Sequence, residues 1–231
     1  MLTLDNISLT LGKGTPLERK LFSYLNLEIL PSEFVVIIGE NGAGKSTLFN
    51  LISGAQKPNS GRILIDEIDM THKNQIAFSA VVSSVMQDPR VGTMENLTLF
   101  ENLAFADRRT KRRGLALWSQ SKRRTLYQDR LSLLNMGLEN RLDDTVSCLS
   151  GGERQALSLI MSLMQPSKLL LLDEITAALN PKTAKKIMNL AYQLARAEKR
   201  SCLMITHNMK EGQQYADRLL ILKDGVLIEV Q

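Results

Sequence analysis

Cysteine is scarce in this sequence: Cys148 and Cys202 are the only two in 231 residues. That excludes the disulfide framework of small secreted folds and a cysteine-based metal site, so each is expected to be a small buried apolar residue in a reducing compartment. Aromatic residues make up only 5%, with a single tryptophan, and histidine occurs twice, at His72 and His207. Long apolar runs are missing as well. The longest unbroken one is five residues, 34–38, where a membrane-spanning helix requires roughly 20. Residues 1–6 lack the basic leader and apolar core of a secretory signal, so the expected compartment is the cytosol. There is no internal repeat, low-complexity tract or Gly/Ser linker. What remains, 44% hydrophobic and 23% charged, is the balance of one large or two small globular domains, burying roughly 70% of the surface exposed by the unfolded chain.

The net charge is +5, but it is unevenly spread. Residues 107–124 carry eight basic side chains (Arg108, Arg109, Lys111, Arg112, Arg113, Lys122, Arg123, Arg124) against one acid, a local +7 that leaves the rest at −2. A concentrated patch in an otherwise balanced chain is a local device. Three readings stand: a solvated helical face, contact with anionic lipid or a membrane partner, and nucleic acid. The last is disfavoured because Trp118 alone offers little base stacking.

Short β-branched or leucine-rich runs alternate with helical-period segments, the pattern of an α/β fold with a mostly parallel sheet. The run 34–38, apolar throughout and bounded by Pro31 and Gly39, reads as a strand buried on both faces. Residues 45–53 read as a helix closed by Gly54. Two further buried strands are expected at 169–172 and 202–205. Between them, Asn180-Pro181 supplies an N-cap and a first-turn proline for a helix carrying Ile187, Leu190, Ala191 and Leu194. The runs at 218–223 and 226–230 flank Asp224-Gly225 and predict a closing hairpin. Leu2, Leu4, Ile7, Leu9 and Leu11, with Ile63 and Ile65, predict an antiparallel sheet. Residues 92–166 are mainly helical. The resulting division places an α/β core with the antiparallel sheet at 1–90 and 167–231 and an inserted helical subdomain at 91–166.

Gly39-Glu40-Asn41-Gly42-Ala43-Gly44-Lys45-Ser46 fits G-x-x-x-x-G-K-[ST] between a buried strand and a helix start. Such a loop turns its backbone N–H groups toward an anion, and the helix behind it adds its positive end. Lys45 would reach the β- and γ-phosphates, Ser46 would give its hydroxyl to Mg²⁺, and Gly39, Asn41, Gly42, Ala43, Gly44 and Thr47 complete the expected nucleotide contacts. The strand at 169–172 runs into Asp173 and Glu174. Asp173 suits the outer shell of Mg²⁺, and Glu174 suits a base for an attacking water.

Beginning 20 residues before Leu169, where that strand starts, Leu149-Ser150-Gly151-Gly152-Glu153-Arg154-Gln155 opens a helical segment. Together with the two preceding motifs, it resembles the signature of the ATP-binding-cassette (ABC) ATPases, over essentially the whole chain. The resemblance implies an ABC ATPase fold: a P-loop core with a mostly parallel sheet, an antiparallel β subdomain and an inserted helical subdomain. It also implies that Ser150, Gly151, Gly152 and Glu153 contact the ATP of a partner subunit, in a homodimer or pseudo-dimer enclosing two ATP. Gln87 resembles the glutamine that senses Mg²⁺ and water, and His207 the histidine that contacts the γ-phosphate. His72 matches nothing and is expected at the surface. Two positions depart from the family pattern. Asn180 stands where aspartate is usual, implying weaker or different communication between the two sites. Leu11 stands where an aromatic often stacks on adenine and offers only apolar contact.

The same resemblance implies the energy subunit of a transporter, on the cytoplasmic face of the membrane and held there by a separate permease, with 91–106 meeting that permease. The stretch 108–118 and the signature resemble cassettes of bacterial amino-acid uptake, including tryptophan/tyrosine-type systems, which implies a solute-binding protein as a further partner. An exporter or lipid-handling system is the alternative. A ribosome- or nucleic-acid-remodelling cassette is disfavoured, because only 103 residues separate Ser46 from Ser150 and no sustained heptads occur there. A GTPase is disfavoured by the absence of an N-K-x-D motif.

Overall fold

The computed structural model describes residues 1–108 and 120–230. In chain order the strands are β1 (Leu2–Leu11), β2 (Arg19–Ile29), β3 (Phe34–Ile38), β4 (Ser60–Ile65), β5 (Ile68–Asp69), β6 (Val82–Val85), β7 (Leu169–Asp173), β8 (Ser201–Thr206), β9 (Arg218–Lys223) and β10 (Val226–Val230). The helices are α1 (Lys45–Ile52), α2 (Gln75–Ser79), α3 (Pro89–Gly92), α4 (Leu99–Arg108), α5 (Gln120–Ser132), α6 (Gly151–Leu163), α7 (Pro181–Ala197) and α8 (Met209–Tyr215). None of the described helices is long and apolar enough to cross a membrane.

The chain divides into two compact units. One holds Met1–Ser84, Ser167–Glu174 and Ala195–Gln231; the other holds Val85–Pro166 and Ile175–Leu194. This differs from the expected 1–90/91–166/167–231 division, chiefly in moving 175–194 out of the core. The cause is local: a side chain on Gly152 would touch Thr183, and Lys186 donates to the Asn135 carbonyl at 2.9 Å, so the start of α7 is built against the signature helix.

The first unit contains both sheets, ordered β2-β1-β4-β5 and β10-β9-β3-β8-β7-β6. In the larger sheet β9, β3, β8 and β7 run parallel, while β10 closes it antiparallel. Every residue of β3 and β8 and the four leucines of β7 are buried, as strands covered on both faces must be. In β1 the buried set slips from Leu2 and Leu4 to Ile7 and Leu9 because Asn6 takes a left-handed φ of 54° at a bulge. That bulge explains the broken alternation of the sequence. The 11-residue β2 was not expected; its own bulge at Tyr24 (φ 53°) and its charged first residues hide the period. The β9–β10 hairpin turns through Asp224 and Gly225, both left-handed, as expected.

In the second unit, α6 is buried on nearly every side from Gln155 to Leu163, with Ala156, Leu157, Leu159, Ile160 and Leu163 as its apolar part. Asn180 caps α7 by accepting from Thr183 N–H at 3.0 Å. Part of the basic patch is consumed internally. Arg123 pairs with the buried Asp107, whose carboxylate also accepts from the Tyr127 hydroxyl at 3.3 Å. Arg124 pairs with Asp143 and lies 5.7 Å over the Phe100 ring. Arg109, Lys111, Arg112, Arg113 and Trp118 lie outside the described residues. Of the cysteines, Cys202 is buried as expected, but Cys148 is exposed in the turn before the signature. His72 is at the surface.

Candidate functional site

The parallel register sets the site. Asp173 on β7 lies opposite Ile205 on β8, and Thr206 lies opposite Ile38 on β3. Three adjacent strands therefore end at one level, and the loop 39–44, the acidic pair and His207 all leave the same carboxyl edge. That is the edge where parallel sheets receive ligands.

The loop from β3 to α1 keeps its shape through glycine. Gly42 and Gly44 have φ of 83° and 103°, a region costly for other residues. No side chain caps the first turn of α1, so the helix's opening N–H groups remain available to an anion. Lys45 is buried, and its ammonium donates to the carbonyls of Gly39 (2.6 Å) and Glu40 (3.0 Å), folded back along the loop it belongs to. Ser46 is exposed on the helix, and Asn41 and Gly42 are exposed in the loop.

Across the edge, Glu174 has a left-handed φ of 44°, strained for a non-glycine residue, and its N–H donates to the Ile205 carbonyl at 2.9 Å. The strain turns its carboxylate toward β8. Its Oε2 lies 3.2 Å from Nδ1 of His207, whose ring is largely exposed. His207 is set by the turn behind it: Asn208 N–H donates to the Thr206 hydroxyl, and the Asn208 side chain caps α8 through Glu211 N–H. Asp173 is half-buried. Burial first, then the Glu174 charge beside it, raises its carboxyl above the ordinary range, and Lys45 offsets this only in part. Among the described residues no cluster of three His, Cys, Asp or Glu could hold a metal.

The signature residues belong to the second unit. Ser150 caps α6, its hydroxyl accepting from Glu153 N–H at 3.3 Å while Glu153 accepts from Ser150 N–H at 2.8 Å. Glu153 also takes the Arg141 guanidinium at 2.9 Å. Burial would raise its carboxyl, but the Ser150 bonds and Arg141 together hold it below the usual range. Both Glu153 oxygens are engaged within the chain, one by the Ser150 N–H and one by Arg141. Gly151 is exposed with open space where a Cβ would stand, whereas Gly152 is closed off by Thr183. Gln87 is exposed, and the turn before it is anchored by Gln155, whose amide donates to the Met86 carbonyl at 3.1 Å. Leu11 is half-exposed at the end of β1. Sequence reasoning missed Arg19, which donates to the Gly42 carbonyl at 3.2 Å, and Arg141, since neither belongs to a motif.

Residues 22–177 match the protein family described as ABC transporter. The chain is 40% identical over 228 residues to the tyrosine transport ATP-binding protein of Clostridioides difficile, covering 99% of this chain and 90% of that one. It is 29% identical to the choline transport ATP-binding protein OpuBA of Bacillus subtilis, covering all of this chain and 57% of that protein. Among solved structures it superposes on the dimeric bacterial ABC transporter cassette MJ0796 with a TM-score of 0.85 at 28% identity, covering 100% and 98% of the two chains.

Proposed function

Because the chain belongs to the ABC transporter family as one of its ATP-hydrolysing, ATP-binding cassettes, we propose that it closes with a second cassette around two ATP and powers a separate membrane permease importing an amino acid. The observation that carries the hydrolytic part is the 3.2 Å contact between Glu174 and His207 at the edge where the phosphate loop also emerges. In this reading the loop N–H groups and Lys45 hold the β- and γ-phosphates, Lys45 exchanging its two loop carbonyls for phosphate oxygens. Glu174 accepts a proton from the attacking water, and His207 fixes that carboxylate while facing the γ-phosphate.

Ser46 would hold Mg²⁺ through its hydroxyl, with Asp173 in the outer shell. When bound, the ion would supply charge neutralisation to the phosphates. The raised Asp173 carboxyl fits that role: it is a half-buried charge lacking a full counter-charge of its own. Ser150, Gly151 and Gly152 present the α6 N-terminus to the partner's nucleotide, Gly151 being the open approach. Asn180, already spent on capping α7, acts across the interface without a charge. The exposed Val91 and Met94 near α3 and Phe105 on α4 provide apolar surface for the permease. Import of an amino acid is supported by the similarity to the tyrosine transport protein.

Uptake of labelled amino acids by cells whose only copy of the chain carries Glu174→Gln tests this reading. The variant should bind ATP, lose turnover by about 10²–10⁴-fold and abolish uptake. Normal amino-acid uptake with hydrolysis lost would remove the importer assignment. Normal hydrolysis would remove Glu174 as the base.

A further inference from the structure

The geometry points to Arg19 as a base-binding residue of the nucleotide site, its guanidinium plane lying against one face of the purine beside Leu11. This rests on the reading of residues 39–46 as the phosphate loop. Leu11 ends β1 and Arg19 begins β2, and the two are direct antiparallel partners. Directly opposed residues project to the same face of a sheet, so both side chains leave on one side. That side is the one facing the loop, because the Arg19 Nη2 donates to the Gly42 carbonyl at 3.2 Å. The same strand packs against the loop further along: a Cβ on Gly44 would come within 3.1 Å of Phe22 and 3.2 Å of Leu21.

The connection between the two strands is stitched rather than loose. The Thr15 hydroxyl donates to the Gly12 carbonyl at 2.7 Å, and Gly14 N–H donates to Glu18 at 2.8 Å. Arg19 is exposed, so one edge of its guanidinium is fixed by the loop carbonyl while the planar face stays open to a ligand. Leu11 can contribute dispersion but no stacking surface. A planar, weakly hydrated guanidinium supplies one, stacking flat on a π system over a larger area than the point charge of an ammonium.

The test measures equilibrium binding of ATP and of inorganic tripolyphosphate, which has no base, by calorimetry on the full chain. Arg19→Ala should weaken ATP about 5- to 30-fold and tripolyphosphate clearly less, by the loss of the charge alone. Arg19→Lys keeps the charge without the plane and should recover only part of the ATP affinity. Arg19→Tyr should recover ATP binding. Unchanged ATP affinity in Arg19→Ala, equal losses for both ligands, or full recovery by Arg19→Lys would each overturn the assignment. Lys45→Ala separates this from the underlying reading. It should weaken both ligands, and if it weakens neither, the phosphate loop itself is misassigned.

Discussion

Asp173 holds a charge that its surroundings only partly support. Burial and the adjacent Glu174 raise its carboxyl, so between the ordinary 3.8 and the raised value the folded chain holds a proton that the unfolded chain has lost. Stability from this group is therefore full below 3.8 and is lost as pH rises through the raised value. Other carboxylates run the opposite way. Asp66, hydrogen-bonded by the N-terminal ammonium and Lys168, is lowered, and its contribution disappears as pH falls. Asp173→Asn isolates the first effect. In the absence of nucleotide and metal it should melt higher than the unaltered chain at about pH 7, and the gap should close as pH is lowered toward 3.8, followed by thermal denaturation at a series of pH values. A gap independent of pH would place the effect in packing. The motif made Asp173 legible as a candidate ligand, but not its burial, which follows from strands meeting across more than 30 residues of chain.

At the scale of elements, what the sequence disclosed tracks how local the cause is. The α1 start and the Asn180-Pro181 cap are written within a few residues, and both were legible. The β2 strand and the bulge in β1 depend on pairing between strands, and no window along the chain reveals them. The α4–α5 tie is equally non-local. Asp107 is 4% exposed, and its partners Arg123 and Tyr127 come from a helix beginning 13 residues later. What reads in sequence as a basic patch is therefore partly an internal device. Arg123→Gln leaves Asp107 buried without this cation and should cost about 3 kcal/mol, measured by denaturant unfolding. Adding Asp107→Asn should restore part of that loss, because it removes the buried charge that Arg123 balances. A double variant no better than the single would show that Arg123 acts through its packing.

For the whole molecule, the decisive feature is that the loop 39–46 and the signature cap at Ser150 belong to different compact units of one chain. Each offers an anion the N-terminus of a helix, and the proposed mechanism pairs the loop of one copy with the cap of another. That arrangement makes two kinds of inactive variant complementary. Lys45→Ala spoils a loop and leaves its cap intact; Ser150→Arg with Gly151→Arg blocks a cap and leaves its loop intact. Each variant alone forms pairs in which both sites are spoiled. A mixed pair contains one site with both faces intact and one with neither, so the isolated mixed pair should recover single-turnover hydrolysis at about half of its sites. The readout is phosphate release after co-purification of two differently tagged chains. Activity that stays absent in the isolated mixed pair would show that the nucleotide is not shared between copies, and activity in the cap-blocked variant alone would show that one chain completes the site by itself.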